Sequence, residues 1–277
     1  MEFVKGHGTG NDFVLIPDLD SRLTLTPEAI ARICDRRFGI GGDGTLRVVR
    51  CAASDDPHAQ GAEFFMDYRN ADGSVAEMCG NGIRVVATWL FERGLADPRG
   101  TDIATRAGVL HVSSRADGLI EVDMGIPQPA GGEATVALDG ADIRVVGVLA
   151  PNPHAVAFIG NLDTVGVLDQ PPRLEPATAF PDGANVEFVE RVGPAHMRMR
   201  VHERGVGETL SCGTGACAVA WAARRQPGAS DAAEYRVDVL GGSLYVREAA
   251  DGHVWLIGPA TLVAHGHIDS ALLAGCA

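Results

Sequence analysis

Lysine is almost missing from this chain: Lys5 is the single one among 23 basic residues, and all the others are arginine. Nearly every candidate for a Schiff base with pyridoxal phosphate is thereby removed, so amine chemistry here is expected to proceed without that cofactor. Cysteine is scarce as well. Its six copies, Cys34, Cys51, Cys79, Cys212, Cys217 and Cys276, form no C-x-x-C pair, which argues against a disulfide scaffold, a zinc ribbon or any other metal site. No stretch is long and apolar enough to span a bilayer, and the N-terminal MEFVKGHGTGNDF lacks the basic and apolar regions of a secretory signal. The expected location is the cytoplasm. Positive charge is in deficit, with a formal net charge of -13, which would repel phosphate backbones and anionic lipid and so excludes nucleic acid and membranes as main partners. A small molecule fits better. What is present, 46% hydrophobic and 21% charged residues over 277 positions without low-complexity tracts, describes a globular protein long enough for two ordinary domains or one large one.

The chain says nearly the same thing twice. MDYRNADGSVAEMCGNGIRVVATWL begins at Met66 and MRVHERGVGETLSCGTGACAVAWAA at Met199, and Cys79 and Cys212 lie at the same offset of 133 residues. Each segment reads as a strand, a turn, then Cys-Gly-x-Gly opening an apolar helix, the mark of an internal duplication. Upstream, Asn11-Asp12-Phe13-Val14 is echoed by Asn152-Pro153-His154-Ala155, and the residues at 42–45 by those at 183–186, both at an offset of 141. The first half therefore carries about eight extra residues, which the polar stretch 51–61 accommodates most naturally. Residues 119–124, 197–202 and 235–239 alternate with period two and read as strands. Thr26-Pro27-Glu28 reads as a cap with proline at the first helical position, starting a helix through about Arg36. The expected fold is α+β: two pseudo-symmetric domains, each a curved mixed sheet around a central helix, related by a pseudo-twofold axis. The boundary is placed near 118–126, giving an N-terminal domain of residues 1–120, joined by the C-terminal segment 264–277, and a second domain of residues 121–263.

A thiolate is the reactive form of cysteine, and a helix N-terminus supplies partial positive charge and N–H groups that lower a thiol pKa. The same N–H groups serve equally to bind a carboxylate. Glycines at 80, 82, 213 and 215 let the backbone approach closely in either role. A lone cysteine at such a corner is most simply a small filler residue. Two equivalent ones, brought together by a pseudo-twofold axis, would stand on opposite faces of one carbon, taking a proton from one side and returning it on the other. That is stereochemical inversion.

MCGNG at 78–82, SCGTGA at 211–216, HERGVGET at 202–209, PNPH at 151–154, HGTGNDF at 7–13 and FPDGANVEF at 180–188 together resemble the diaminopimelate epimerase family, from the first residues nearly to the last. The resemblance implies the two-domain fold just inferred, no cofactor, and interconversion of LL- and meso-diaminopimelate in lysine and peptidoglycan-precursor synthesis. It makes Cys79 and Cys212 the paired base and acid and His154 and Glu203 the neighbours that tune them. The implied partner is a small diamino diacid, zwitterionic at both ends, and a homodimer is compatible with the family. Asn11, Asn70, Asn152 and Asn185 would offer donors and acceptors to it, Arg204 would grip a carboxylate and Glu203 an ammonium. The backbones of Gly80-Asn81 and Gly213-Thr214 would hold the reacting carboxylate as the carbanion forms. Taken singly, an asparagine beside glycine or proline is a turn former, and Glu203-Arg204 reads as a surface pair. One position departs from the family: Gly44 stands where many members carry a glutamine.

Other signals are set aside. G-I-G-G-D-G at 39–44 matches a dinucleotide-binding pattern but follows a helix and precedes a strand, the reverse of the required order. Cys217 and Cys34 lie on apolar patterns and read as core. Two rival functions remain. A two-cysteine racemase of proline or hydroxyproline would share the turns but have no second amino-acid end to hold. A non-catalytic thiol or zinc protein would bind metal stoichiometrically.

Overall fold

The computed structural model describes residues 1–269 and 272; Cys276 and the last part of the 264–277 segment lie outside the described residues. Its contacts fall into two compact units, Met1–Val122 with the chain from Pro259, and Asp123–Gly258.

In the first unit, Glu2–Gly8 lies antiparallel between Thr261–His267 and Asn11–Pro17. Asn11–Pro17 continues in parallel to Gly44–Arg50, which pairs antiparallel with Phe64–Asn70. Thr101–Thr105 joins Phe64–Asn70 in parallel, and Gly108–Ser114 and Ile120–Asp123 follow in antiparallel order. Helix α1 (Pro27–Cys34) lies in the crossover between the first parallel pair and α2 (Gly80–Glu92) in the crossover between the second. Thr26 caps α1, accepting from Ala29 N–H at 3.2 Å, and Pro27 opens it. The helix stops at Cys34, two residues short of the expected Arg36. The Asp35 carboxylate accepts the N–H groups of Arg37 and Phe38, a side-chain turn that competes successfully with another helical turn.

The second unit repeats this order. Ala141–Leu149 pairs with Ala134–Leu138 on one side and Pro153–Ile159 on the other, and Asn185–Gly193 lies parallel to Pro153–Ile159. His196–Glu203, Glu234–Val239, Gly242–Glu248 and Val254–Gly258 complete it, with helix α3 (Gly213–Arg224) in the second crossover. The eight-residue surplus falls between Gly44–Arg50 and Phe64–Asn70, where a 3₁₀ turn at Cys51–Ala53 replaces the tight hairpin of the second unit.

The period-two alternation expected at 119–124, 197–202 and 235–239 is largely seen in the burial of those strands, whereas the central strands carry unbroken buried runs. Phe13 through Ile16 are all buried because the sheet is covered on both faces, a condition that turns alternation into a continuous apolar run. One face packs on the central helix. In the first unit the other face, with Val14 and Ile16, is closed by Ile33 of α1. In the second, Ala155, Ala157, Val186 and Phe188 pack under Leu162, Val165, Leu168 and Phe180, an irregular crossover with two 3₁₀ turns and no α-helix. Cys217 and Cys34 are both buried, as their apolar patterns suggested.

Candidate active site

Strand register decides which side chains accompany each thiol. On the face turned to α2, Phe13 pairs with Gly44 and Gly44 with Asn70, and Leu46 lies two residues beyond Gly44. On the equivalent face of the second unit, His154 pairs with Asn185, Val156 with Glu187, and Glu187 with Val201. Glu203, two residues after Val201, shares that face because side chains alternate.

Cys79 is the N-cap of α2 in extended conformation, its sulfur accepting the Gly82 N–H at 3.4 Å. Cys212 caps α3 in the same way, accepting from Gly215 N–H at 3.3 Å. Sulfur thus takes the place that a serine or asparagine oxygen usually fills. The first N–H groups of any α-helix lie outside its own ladder and favour an anion; here they belong to Gly80, Asn81, Gly213 and Thr214. The second glycine of each turn is demanded by space. A Cβ at Gly82 would stand 2.9 Å from Leu46 Cδ2, and one at Gly215 2.8 Å from Glu187 Oε1.

Around Cys79, half-buried, the thiol donates to Asn11 Oδ1 at 3.6 Å, and the Asn81 amide donates to the same oxygen at 3.1 Å. Asn11 is held from behind by its own amide donating to Asp43 Oδ2 at 2.6 Å. Asn81 is held by the fully buried Arg84, which also donates to Gly80 O and Thr9 Oγ1. Asn70 donates to Ser74 Oγ at 3.0 Å. Gly44 has little room for a side chain. A Cβ there would meet Arg69 O at 2.4 Å and the Tyr68 ring at 2.8 Å, so Tyr68 fills the space a longer side chain would need.

Around Cys212, buried, the sulfur lies 3.3 Å from Thr214 Oγ1 and receives the Asn185 amide at 3.8 Å. Asn185 Oδ1 accepts the backbone N–H of Arg204 at 2.9 Å. His154 Nδ1 lies 2.6 Å from Glu187 Oε1, and its Nε2 lies 3.1 Å from Asn152 Oδ1. Glu203 accepts from the Thr209 hydroxyl, and the exposed Arg204 donates to Asp182 O at 2.9 Å. Burial, then the charges of Glu203 and Glu187, push the Cys212 thiol well above its ordinary pKa, against the weaker pull of Thr214 and the Gly215 N–H. Burial likewise raises Cys34, to about 12.

The structure therefore gathers Asn11, Cys79 and Asn81 in one unit, and Asn152, His154, Asn185, Cys212, Thr214 and the Arg204 backbone in the other. Asp43, Arg84 and Glu187 escaped the sequence reading. The repeat itself could have found two of them: at its offsets Glu187 stands against Leu46 and Arg84 against Cys217, a charge opposite an uncharged core residue each time.

The duplicated α+β architecture is a fold known in solved structures. A phenazine biosynthesis protein of the PhzF family from Bacillus anthracis matches with TM-score 0.70 at 19% identity, covering 97% of this chain and 98% of that one. A hydroxyproline epimerase from Agrobacterium vitis matches at 0.66 and 14% identity, covering 96% and 91%; both likenesses speak for the fold alone. The chain belongs to the diaminopimelate epimerase family, whose model matches residues 3–129 and 148–263, and it is an isomerase of the racemase and epimerase class. Relatives named diaminopimelate epimerase include one from Streptomyces coelicolor, 51% identical over 99% of this chain and 97% of its own length. Another, from Thermobifida fusca, is 46% identical over 99% and 100%.

Proposed function

We propose that the enzyme interconverts LL- and meso-diaminopimelate by a two-base mechanism in which Cys79 and Cys212 serve opposite faces of one α-carbon, in the cytoplasmic route to lysine and peptidoglycan precursors. The observation that carries this reading is the matched pair of helix-capping thiols at equivalent places in a duplicated fold. One sulfur, as thiolate, takes the α-proton and becomes a thiol, while the C–H electron pair stays on carbon and delocalises into the carboxylate. The other sulfur, as thiol, delivers its proton to the far face and becomes the thiolate. In the reverse direction the roles exchange. The helix-start N–H groups of Gly80-Asn81 and Gly213-Thr214 stabilise the charge that develops on the carboxylate. His154 and Glu203 tune the thiols, Asn11, Asn70, Asn152 and Asn185 bind the amino-acid ends, and Arg204 offers its remaining guanidinium N–H groups to the distal carboxylate.

Isotope flow in heavy water tests the two-base mechanism itself. The acid that reprotonates the far face has already equilibrated with solvent, whereas the abstracted proton rests on the near-face sulfur and returns from there to the starting isomer. Early in a reaction begun with LL-diaminopimelate, new meso product should carry deuterium at the inverted carbon while recovered LL substrate carries little. Equal labelling of both at low conversion would contradict two bases, and absence of any conversion would remove the substrate assignment.

A further inference from the structure

Beneath the first turn of α3 lies a carboxyl group that the proposed chemistry does not use. Glu187 and His154 are both completely buried. Their 2.6 Å contact has the length of a charge-assisted bond, and Glu187 Oε2 is without a hydrogen-bond partner among the described residues. A buried pair in that state is weak evidence for stability, since hydrophobic replacements of such pairs are often neutral or stabilising. The position of Glu187 points to another role. A Cβ built on Gly215 would stand 2.8 Å from Glu187 Oε1 and 3.3 Å from Cys212 Sγ, so the carboxyl and the sulfur flank the same bare glycine. The His154 ring is fixed at both nitrogens, by Glu187 at Nδ1 and by Asn152 Oδ1 at Nε2.

We infer that Glu187 is a positioning residue of the reaction, locking the His154 ring and keeping Cys212 the proton-bearing thiol of the resting enzyme, so that the two cysteines start in unequal states. The inference rests on the epimerase reading for its role in catalysis, but not for its effect on the sulfur. Among the described residues, the ionisable groups set against Cys212 are Glu187 from Asn185–Gly193 and Glu203 from His196–Glu203, with His154 from Pro153–Ile159 engaged by Glu187. The strands packed against the rest of α3 turn Leu244, Val246 and Leu256 inward, with Tyr235 bonded to Ser230. Negative groups next to a sulfur disfavour its thiolate, in the same direction as the burial already described. The equivalent place beneath α2 holds Leu46.

The test is the pH dependence of thiol modification by methyl methanethiosulfonate, read separately on the Cys79 and Cys212 peptides by mass spectrometry. Glu187→Gln keeps the shape and removes the carboxylate. The midpoint for Cys212 should fall by about one pH unit or more, and the midpoint for Cys79 should stay. In the epimerase assay kcat should fall with KM little changed, and the ¹⁵N resonances of His154 should show its ring protonation altered in Glu187→Leu. If Glu187→Gln does not fold, the pair Glu187→Leu with His154→Phe, which copies the other half of the repeat, gives the same readout. An unmoved Cys212 midpoint in whichever variant folds would overturn the inference. Because thiol modification needs no substrate, that outcome is distinct from failure of wild-type protein to convert diaminopimelate.

Discussion

The two halves hold their sulfurs in the same way and surround them differently. Cys79 and Cys212 cap their helices with N–H···S contacts of 3.4 and 3.3 Å, and each turn needs a bare glycine three residues on. Beneath that glycine, however, the first unit has Leu46 and Phe13, fully buried hydrocarbon, where the second has the fully buried Glu187 and His154. The helices differ in the opposite sense. The first carries the buried Arg84, which steadies Asn81, where the second carries the buried Cys217. Duplication has kept the backbone cradle and let the supporting side chains diverge. A cradle is set by glycines and strand register, which tolerate little change, whereas the support needs only matched volume and satisfied polar groups.

The largest expected effect breaks the symmetry outright. Cys79→Ala or Cys212→Ala should each cost at least about 100-fold in turnover, the low end for loss of a positioned acid or base, with circular dichroism unchanged. Near-wild-type turnover by either would end the equivalence of the two thiols. Next is an exchange between the halves. His154→Phe alone leaves Glu187 buried without its partner and should cost about 3–5 kcal/mol in urea unfolding, most of it regained when Glu187→Leu is added; a double variant no more stable than the single would show that the pair is not the unit of support. A smaller effect is expected from Gly44→Gln, which installs the glutamine that the resemblance implies there. Against Arg69 O and Tyr68 it should destabilise by about 1–3 kcal/mol, and a stable, faster enzyme would show that Tyr68 yields.

The smallest concerns acid. Burial raises the Asp12 pKa, but hydrogen bonds and charge from Arg36 and Lys5 more than reverse this and hold it well below the usual carboxylate range; the second half has Pro153 at that place. A depressed folded-state pKa contributes stability that is present above the unfolded value, about 3.9, and lost as pH falls below it. On acidification below about pH 4, amides of Asn11–Pro17 should therefore lose exchange protection before those of Pro153–Ile159, and Asp12→Asn should remove the difference.

The amino-acid sequence determined the cradle. Two Cys-Gly-x-Gly turns at one spacing, the apolar helices behind them, the cap at Thr26-Pro27 and the site of the extra residues are all local or repeating signals, so they could be read from the chain directly. Asn81 and Asn185, beside the thiols, come instead from the family resemblance, for at the repeat offsets Asn81 stands against Thr214 and Asn185 against Gly44. The tertiary structure alone decided the support. That Glu187 turns inward onto His154, that Asp43 steadies Asn11, and that Tyr68 occupies the room beside Gly44 depend on the register of strands far apart in sequence. A shift of one residue in that register would send Glu187 and Tyr68 to the opposite face. For the same reason the central strands lack the alternation seen in the strands at 119–124, 197–202 and 235–239: whether a strand is covered on one face or two is a property of what packs against the sheet, which no single stretch of sequence contains.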